Sequence, residues 1–155
     1  MSGLEGTTMA ELYISKCYCT NLRRSAGIVT DFYDVGLRGV GITVAQYYLL
    51  VNLSRLERAN ITRWAQRVGL ERSTMVRNIK PLEARGLIEL ADGRGKTYAL
   101  TPRGMAVLTQ AGAIWEERQR SLEGILGRED YEAILRIGER LQTWKEKTDV
   151  SASDQ

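Results

Sequence analysis

The sequence predicts a mainly α-helical protein with a small β-wing: a winged helix-turn-helix framed by further helices toward both ends of the chain. Three observations predict it. Residues 62–101 (TRWAQRVGLERSTMVRNIKPLEARGLIELADGRGKTYALT) read in order as a short helix, a tight turn, a second helix and two short strands around a Gly-rich tip. Apolar residues recur at three- and four-residue steps on both sides of this stretch. Basic residues crowd the same middle segment. From Arg55 to Arg103 there are eleven Arg and Lys against five Asp and Glu, a net +6 in a chain of net +3, so the remainder carries −3.

Each element has a local reason. Residues 1–9 are small and polar and are expected to be a flexible arm. From Ala10 to about Val35 the spacing of Ile14, Tyr18, Leu22, Ser25, Ile28, Val29 and Phe32 predicts a helix, stopped by the glycines of residues 36–41. Thr43 and Gln46 form a T-x-x-Q capping box for a second helix, VAQYYLLVNLSRL, apolar enough to be mostly core. Arg55 to Asn60 reads as a polar connection, with Thr62 as the N-cap of RWAQRV and Gly69 as its stop.

The next helix is expected over Glu71–Arg85. Met75, Ile79 and Leu82 share an inward face, while Arg72, Ser73, Val76, Arg77 and Lys80 fall largely on the opposite one. Pro81 removes one helical hydrogen bond, so a bend or tightened turn is expected at Arg77–Pro81. Leu87–Ala91 and Thr97–Leu100 are strands joined by Asp92-Gly93-Arg94-Gly95-Lys96, a hairpin signal. Thr101-Pro102 places an N-cap before a first-turn proline. A long helix follows to about Glu123, with Met105, Leu108, Ala111, Ile114 and Trp115 as its stripe. A break is expected at Gly124–Gly127, then a last helix from about Glu129 to Lys145, and a disordered tail over residues 148–155.

Composition excludes several classes. No apolar run of about 18 residues is present, so no membrane partner is expected. No basic region followed by an apolar stretch opens the chain, which makes the cytoplasm the expected compartment. There is no histidine, the commonest general base, and the two cysteines, Cys17 and Cys19, cannot complete a tetrahedral metal site alone. Gly95-Lys96-Thr97 imitates the end of a phosphate loop, but Leu90 stands where that loop needs its first glycine. No catalytic residue, metal site or cofactor is expected. The segregated positive charge instead suggests a polyanion partner.

The combined motif resembles the MarR family of winged-helix transcription regulators. GITVAQYYLL is similar to the family's second helix, WAQRVGLERSTMVRNIKPLEARGLIE to its helix-turn-helix, and LTPRG to the start of its fifth helix, so that the likeness covers roughly residues 12–145. The resemblance implies one winged-helix domain over residues 10–147. Within it, residues 43–101 would bind DNA, while residues 10–35 and 102–147 would interlock two copies into a homodimer on a pseudo-palindromic operator. Trp115, Leu122, Ile125, Ile134, Ile137, Leu141 and Trp144 supply more apolar face than a small winged domain needs to cover, which agrees with a partner surface. The function implied is a sequence-specific regulator, commonly a repressor, released by a small ligand or by oxidation. A winged-helix module for dimerisation or protein docking, without specific DNA binding, is the alternative.

Ser73 and Thr74 open the reading helix, where hydroxyls and free N–H groups suit phosphate oxygens. Arg77, one turn on, can fork onto guanine, and Val76 can touch a thymine methyl. Arg72 and Lys80 suit phosphate, Arg94 a narrow minor groove, and Lys96 an adjacent phosphate. The wing loop is shorter than the family's, with Asp92-Gly93-Arg94 in place of its usual Asp-Arg-Arg run. The resemblance also implies two routes to release. One is a small aromatic ligand in a cleft lined by Tyr33, Tyr47 and Tyr48, although aromatic residues at such helical positions are more often plain core. The other is a hydroperoxide acting on Cys19, which falls where a peroxide-sensing branch keeps its reactive cysteine, with Tyr33 at a thiolate-contacting position. Arg23 and Thr20 depart from that branch's pattern. On one continuous helix Cys17 and Cys19 would point about 200° apart, which disfavours a disulfide between them.

Overall fold

A computed structural model describes residues 16–91 and 96–153, with side chains described through residue 149. The expected arm (1–9), residues 10–15 of the expected first helix, the wing tip with Arg94, and residues 154–155 lie outside the described residues. The elements run α1 (Tyr18–Leu37), a short 3₁₀ turn (Arg38–Val40), α2 (Val44–Leu56), β1 (Ala59–Asn60), α3 (Ile61–Val68), α4 (Arg72–Ala84), β2 (Ile88–Leu90), β3 (Thr97–Leu100) and α5 (Pro102–Ser153). Helices dominate, and the sheet is small and antiparallel, as expected of a winged helix-turn-helix.

Local chemistry sets most boundaries. At the start of α2 the Thr43 hydroxyl accepts the Gln46 N–H at 3.2 Å, and the Gln46 side chain accepts the Thr43 N–H at 3.1 Å. Asp34, near the end of α1, accepts the Val44 N–H at 2.6 Å and so ties α1 to the same helix start. Gly69 closes α3 in the left-handed region (φ 71°), where a side chain would be strained. The Thr101 hydroxyl accepts the Gly104 N–H at 2.9 Å and caps α5 ahead of Pro102. Met75, Ile79 and Leu82 are buried as the spacing predicts, and α4 runs on through Pro81.

The sheet has three strands in the order β1-β3-β2, one more than the sequence suggests. Glu57 turns the chain with a positive φ (59°), and Ala59 and Asn60 then pair with Tyr98 and Thr97. Part of the expected polar connection is therefore β1. The pairing also moves the cap of α3: Asn60, not Thr62, accepts the Arg63 N–H, at 2.8 Å. Asn60 leaves its strand in extended backbone (φ −73°, ψ 163°), the geometry an N-cap needs, while Thr62 is already helical.

The chain divides into two units, residues 1–114 and 115–155. In the first, Leu37, Leu50, Leu53, Trp64, Met75, Leu82, Leu87 and Ile88 form a core drawn from the helices and the sheet. The boundary falls inside α5 rather than before it, because Ala111, Val107, Leu108 and Ile114 pack into this core. Met105, expected on that stripe, is exposed, and Gly104 holds the corresponding inward place. The second unit is helical, with its break reduced to Gly127 (φ 75°, ψ 172°). There α5 continues to Ser153, into the stretch expected to be disordered. No glycine or proline interrupts residues 148–153, and the Thr148 hydroxyl bonds back to the carbonyls of Lys145 and Trp144.

A last correction concerns the start of α1. Lys16 and Cys17 are not helical, and Cys17 is an extended N-cap (φ −81°, ψ 118°) whose carbonyl accepts the Asn21 N–H at 3.1 Å. The expected helix therefore does not include residues 16 and 17. The 200° separation of the two cysteines, which assumed one helix through both, does not apply.

Candidate nucleic-acid interface

The reading helix is α4. Its buried stripe seats it on the core, which fixes the direction in which the other side chains project. Ser73, Arg77 and Lys80 are exposed, Val76 is 36% exposed, and Thr74 is half-buried. Arg77 and Lys80 have no hydrogen-bond or ion-pair partner among the described residues. An i,i+4 partner for Arg77 is sterically and chemically missing, since its neighbours at that spacing are Ser73 and Pro81. Two cations thus stand on one exposed face without internal neutralisation, as a surface made for an anion requires.

The start of α4 is also open. Its N-cap, Glu71, makes no side-chain capping hydrogen bond, and no acidic residue occupies the first turn. The first N–H groups therefore remain available for an anion, with the helix dipole adding to the attraction. Arg72 is not loose. Its Nη1 donates to the Thr62 hydroxyl at 2.9 Å, linking the first residue of α4 to the second residue of α3. Thr62, expected as a cap, is instead the acceptor that orients Arg72.

Sequence reasoning missed a second orienting link. Asn52 is 4% exposed, donates from Nδ2 to the Tyr48 carbonyl at 2.9 Å, and accepts from Arg67 Nε at 3.3 Å. The Trp64 indole donates to the Leu49 carbonyl at 3.2 Å. Together they hold α3, the first helix of the turn, against α2. A polar Asn in the otherwise apolar α2 stripe was the available signal. At the other end of α4, the Arg85 guanidinium donates to the carbonyls of Gly41 and Val40. Lys96 is exposed at the foot of the wing with a positive φ (49°), and Arg94 lies outside the described residues.

The residues expected to respond to a signal differ in their surroundings. Tyr33 is buried and meets Phe32 edge-on, ring centroids 6.1 Å apart. Tyr47 is half-buried, its hydroxyl 3.7 Å from where a side chain on Gly112 would begin. Tyr48 is 51% exposed and lines a cavity that the other two tyrosines do not. Neither cysteine is in a disulfide and both are exposed, whereas Tyr33 is 7% exposed. The Cys17 thiol is held below the usual cysteine range, first by a hydrogen bond from the Thr20 hydroxyl, then by the N–H groups of Thr20 and Cys19. No cluster of metal-ligating residues occurs among the described residues, and no helix there is long and apolar enough to cross a membrane.

Comparison with known proteins agrees with this geometry. Residues 40–96 match the sequence profile of the MarR family. Among solved structures, the chain is similar to the M. tuberculosis transcriptional regulator MosR in complex with DNA. That match has 28% identity and a TM-score of 0.74, over 86% of this chain and 98% of that one. It is similar also to the transcriptional repressor CouR bound to a 23-mer DNA duplex, at 28% identity and TM-score 0.72, over 88% and 98% of the two chains. CouR bound to p-coumaroyl-CoA matches at 26% identity and TM-score 0.75, over 87% and 96%. No match is found among curated proteins.

Proposed function

We propose that the chain, whose residues 40–96 match the MarR family profile, is a transcriptional regulator of that family, a sequence-specific double-stranded DNA-binding repressor rather than an enzyme. One observation carries the reading: the unneutralised Arg77 and Lys80 share an exposed face of a helix whose opposite face is locked into the core. Arg77 reads guanine in the major groove, with Val76 against a neighbouring thymine methyl. Ser73, Thr74 and the open start of α4 take phosphate, as do Lys80 and the Thr62-oriented Arg72. Arg94 and Lys96 of the wing add minor-groove and backbone contacts. The site of action is cytoplasmic, where bacterial regulators of this kind meet their DNA.

The protein acts as a homodimer on a pseudo-palindrome. Support comes from apolar side chains that the protomer leaves open: Tyr18, Leu22 and Ile28 on α1, and Ile134, Leu141 and Trp144 in the second unit. Burial of such faces against a second copy removes them from water at about 25 cal/mol per Å². Release of DNA follows binding of a small molecule or oxidation of a thiol. The first is supported by CouR, a repressor seen both with DNA and with an acyl-CoA. The second is supported by the exposure of Cys17 and Cys19.

Selection of duplexes from a random pool by the purified protein tests this reading. A two-fold-related motif, with half-sites one helical turn apart, is the expected product. Enrichment of no motif, with binding insensitive to salt, would favour a docking module. Loss of operator binding on treatment with an organic hydroperoxide, abolished by Cys19→Ser or by Cys17→Ser, would identify the sensing thiol. Unchanged binding after treatment would remove oxidation from the scheme.

A further inference from the structure

Arg85 follows the last residue of α4 and is half-buried. Its guanidinium donates through Nη1 to the Gly41 carbonyl and through Nη2 to the Val40 carbonyl. No carboxylate pairs with it among the described residues. A guanidinium given to two backbone carbonyls is withdrawn from the anion-binding surface, although Arg85 counts among the basic residues of the middle segment. Its acceptors are held in place by a glycine. Gly41 ends the 3₁₀ turn in the left-handed region (φ 74°), with its N–H bonded back to the carbonyls of Leu37 and Arg38. A side chain at residue 41 would be strained at that φ, and its first carbon would stand 3.0 Å from Arg85 Nη2. The glycine therefore serves both the turn and the approach of the arginine.

Asp34 of α1 accepts the Val44 N–H at 2.6 Å on the other side of the same segment. Residues 40–44 are thus tied to α1 through Asp34 and to the end of α4 through Arg85. The stripe of Met75, Ile79 and Leu82 seats α4 on the core, but a single packed stripe leaves a helix room to tilt. The Arg72–Thr62 bond holds its first residue to α3, and Arg85 holds the other end, about 20 Å away, to the α1–α2 junction. Two fastened ends define a direction for the segment between them, which carries Arg77.

We propose that Arg85 is a positioning residue that sets the direction of the reading helix against α1, and with it the spacing between half-sites that a dimer accepts. It touches no DNA. The claim about spacing rests on the dimeric DNA binding proposed above; the tie itself does not. α1 carries the exposed Tyr18, Leu22 and Ile28 assigned there to the second copy. The separation of the two reading helices is then relayed through α1, residues 40–44 and Arg85 to each α4. Arginine suits the task because its planar fork reaches two successive carbonyls, which the single ammonium of lysine does less well.

The test compares the full-length wild type with Arg85→Ala and Arg85→Lys. Without DNA, Arg85→Ala should shift the backbone amide resonances of Gly41 and Ile42, whose peptide groups carry the accepting carbonyls, while the rest of the spectrum stays dispersed. Unmoved resonances overturn the tie. With DNA, affinity is measured on the selected operator, on versions with one base pair added to or removed from its centre, and on a random duplex. One base pair turns one half-site by about 35° relative to the other, so wild type should lose about 10-fold on both altered spacings. Arg85→Ala should reduce that discrimination to about 3-fold or less, with random-duplex affinity within about 2-fold of wild type, because no phosphate contact is lost. Arg85→Lys should fall between the two. A variant that was merely destabilised would lose affinity on every duplex alike. Should Arg85→Ala not fold, Arg85→Lys, which keeps the charge, carries the same comparison. A wild type indifferent to spacing, a spacing preference unchanged in the variants, or an equal loss on operator and random duplex overturns the positioning role. A wild type that prefers no operator overturns the DNA-binding function and with it the claim about spacing, a failure read on the wild type alone, and the amide shifts then still decide the tie.

Discussion

Arg72 Nη1 and the Thr62 hydroxyl stand 2.9 Å apart, so the first side chain of the reading helix is fastened to the helix before it. An arginine already held pays less entropy when it meets a phosphate. Thr62→Val keeps the side-chain shape and removes the acceptor. It should lower DNA affinity by about 2- to 5-fold, equally on operator and random duplex, with stability changed by less than about 1 kcal/mol. A double-mutant cycle with Arg72→Ala measures the link, and strictly additive losses would show that the contact does not operate in the complex.

Lys80 is exposed and unpaired among the described residues on the face that carries Arg77. As a phosphate contact it contributes charge and no sequence information. Lys80→Ala should weaken all duplexes alike and reduce the slope of log affinity against log salt by about 1 per protomer. Titrations at several salt concentrations check this; an unaltered slope with reduced preference for operator would assign Lys80 to a base instead.

A side chain begun at Gly104 would place its first carbon 1.9 Å from the Leu87 carbonyl oxygen and 2.9 Å from the carbonyl carbon. The obstacle is backbone, and the same oxygen accepts the Thr101 N–H at 3.1 Å, so it cannot yield without loosening the join between β2 and α5. Helix propensity alone would make Gly→Ala favourable by up to about 1 kcal/mol. Here the clash decides the sign, and Gly104→Ala should destabilise by about 1–3 kcal/mol. Urea unfolding provides the measurement. Gly112→Ala, whose new carbon would sit 3.7 Å from the Tyr47 hydroxyl, is the tolerated counterpart.

Thr20 holds the Cys17 thiol below its ordinary range, chiefly through its hydroxyl. A lowered value favours the thiolate, so alkylation of Cys17 by iodoacetamide should set in at lower pH than for a free cysteine, near about 8.5. Thr20→Val should move that onset upward. Because the thiol is fully exposed, the effect belongs to reactivity and not to fold stability. An onset unaffected by Thr20→Val would contradict the hydrogen bond.

The parts of the fold legible in the sequence are those fixed within a few residues. The Thr43–Gln46 box, the left-handed Gly69, the Thr101-Pro102 start and the Met75, Ile79, Leu82 stripe are all local, and each stands where expected. What escaped depends on residues distant in sequence. Asn60 caps α3 because β1 pairs with β3, and that pairing is invisible around Asn60 itself. Thr62 became the acceptor for Arg72 as a consequence. The inward place of Gly104 and the exposure of Met105 follow from the approach of Leu87. For the site, the helical period sufficed to put Arg77 and Lys80 outside. It could not bring Arg85 to the carbonyls of Val40 and Gly41, because packing between elements distant in sequence chooses those neighbours.

The central claim is that Arg77 reads sequence from the exposed face of α4. Fluorescence anisotropy on the selected operator and on a random duplex, at physiological salt, tests it directly when wild type is compared with Arg77→Ala. A bidentate base contact is worth about 1–3 kcal/mol of discrimination. The variant should therefore lose about 5- to 150-fold on operator and far less on random DNA. Equal losses on both duplexes would reduce Arg77 to a phosphate contact, and a wild-type protein that binds both alike would contradict sequence-specific regulation altogether.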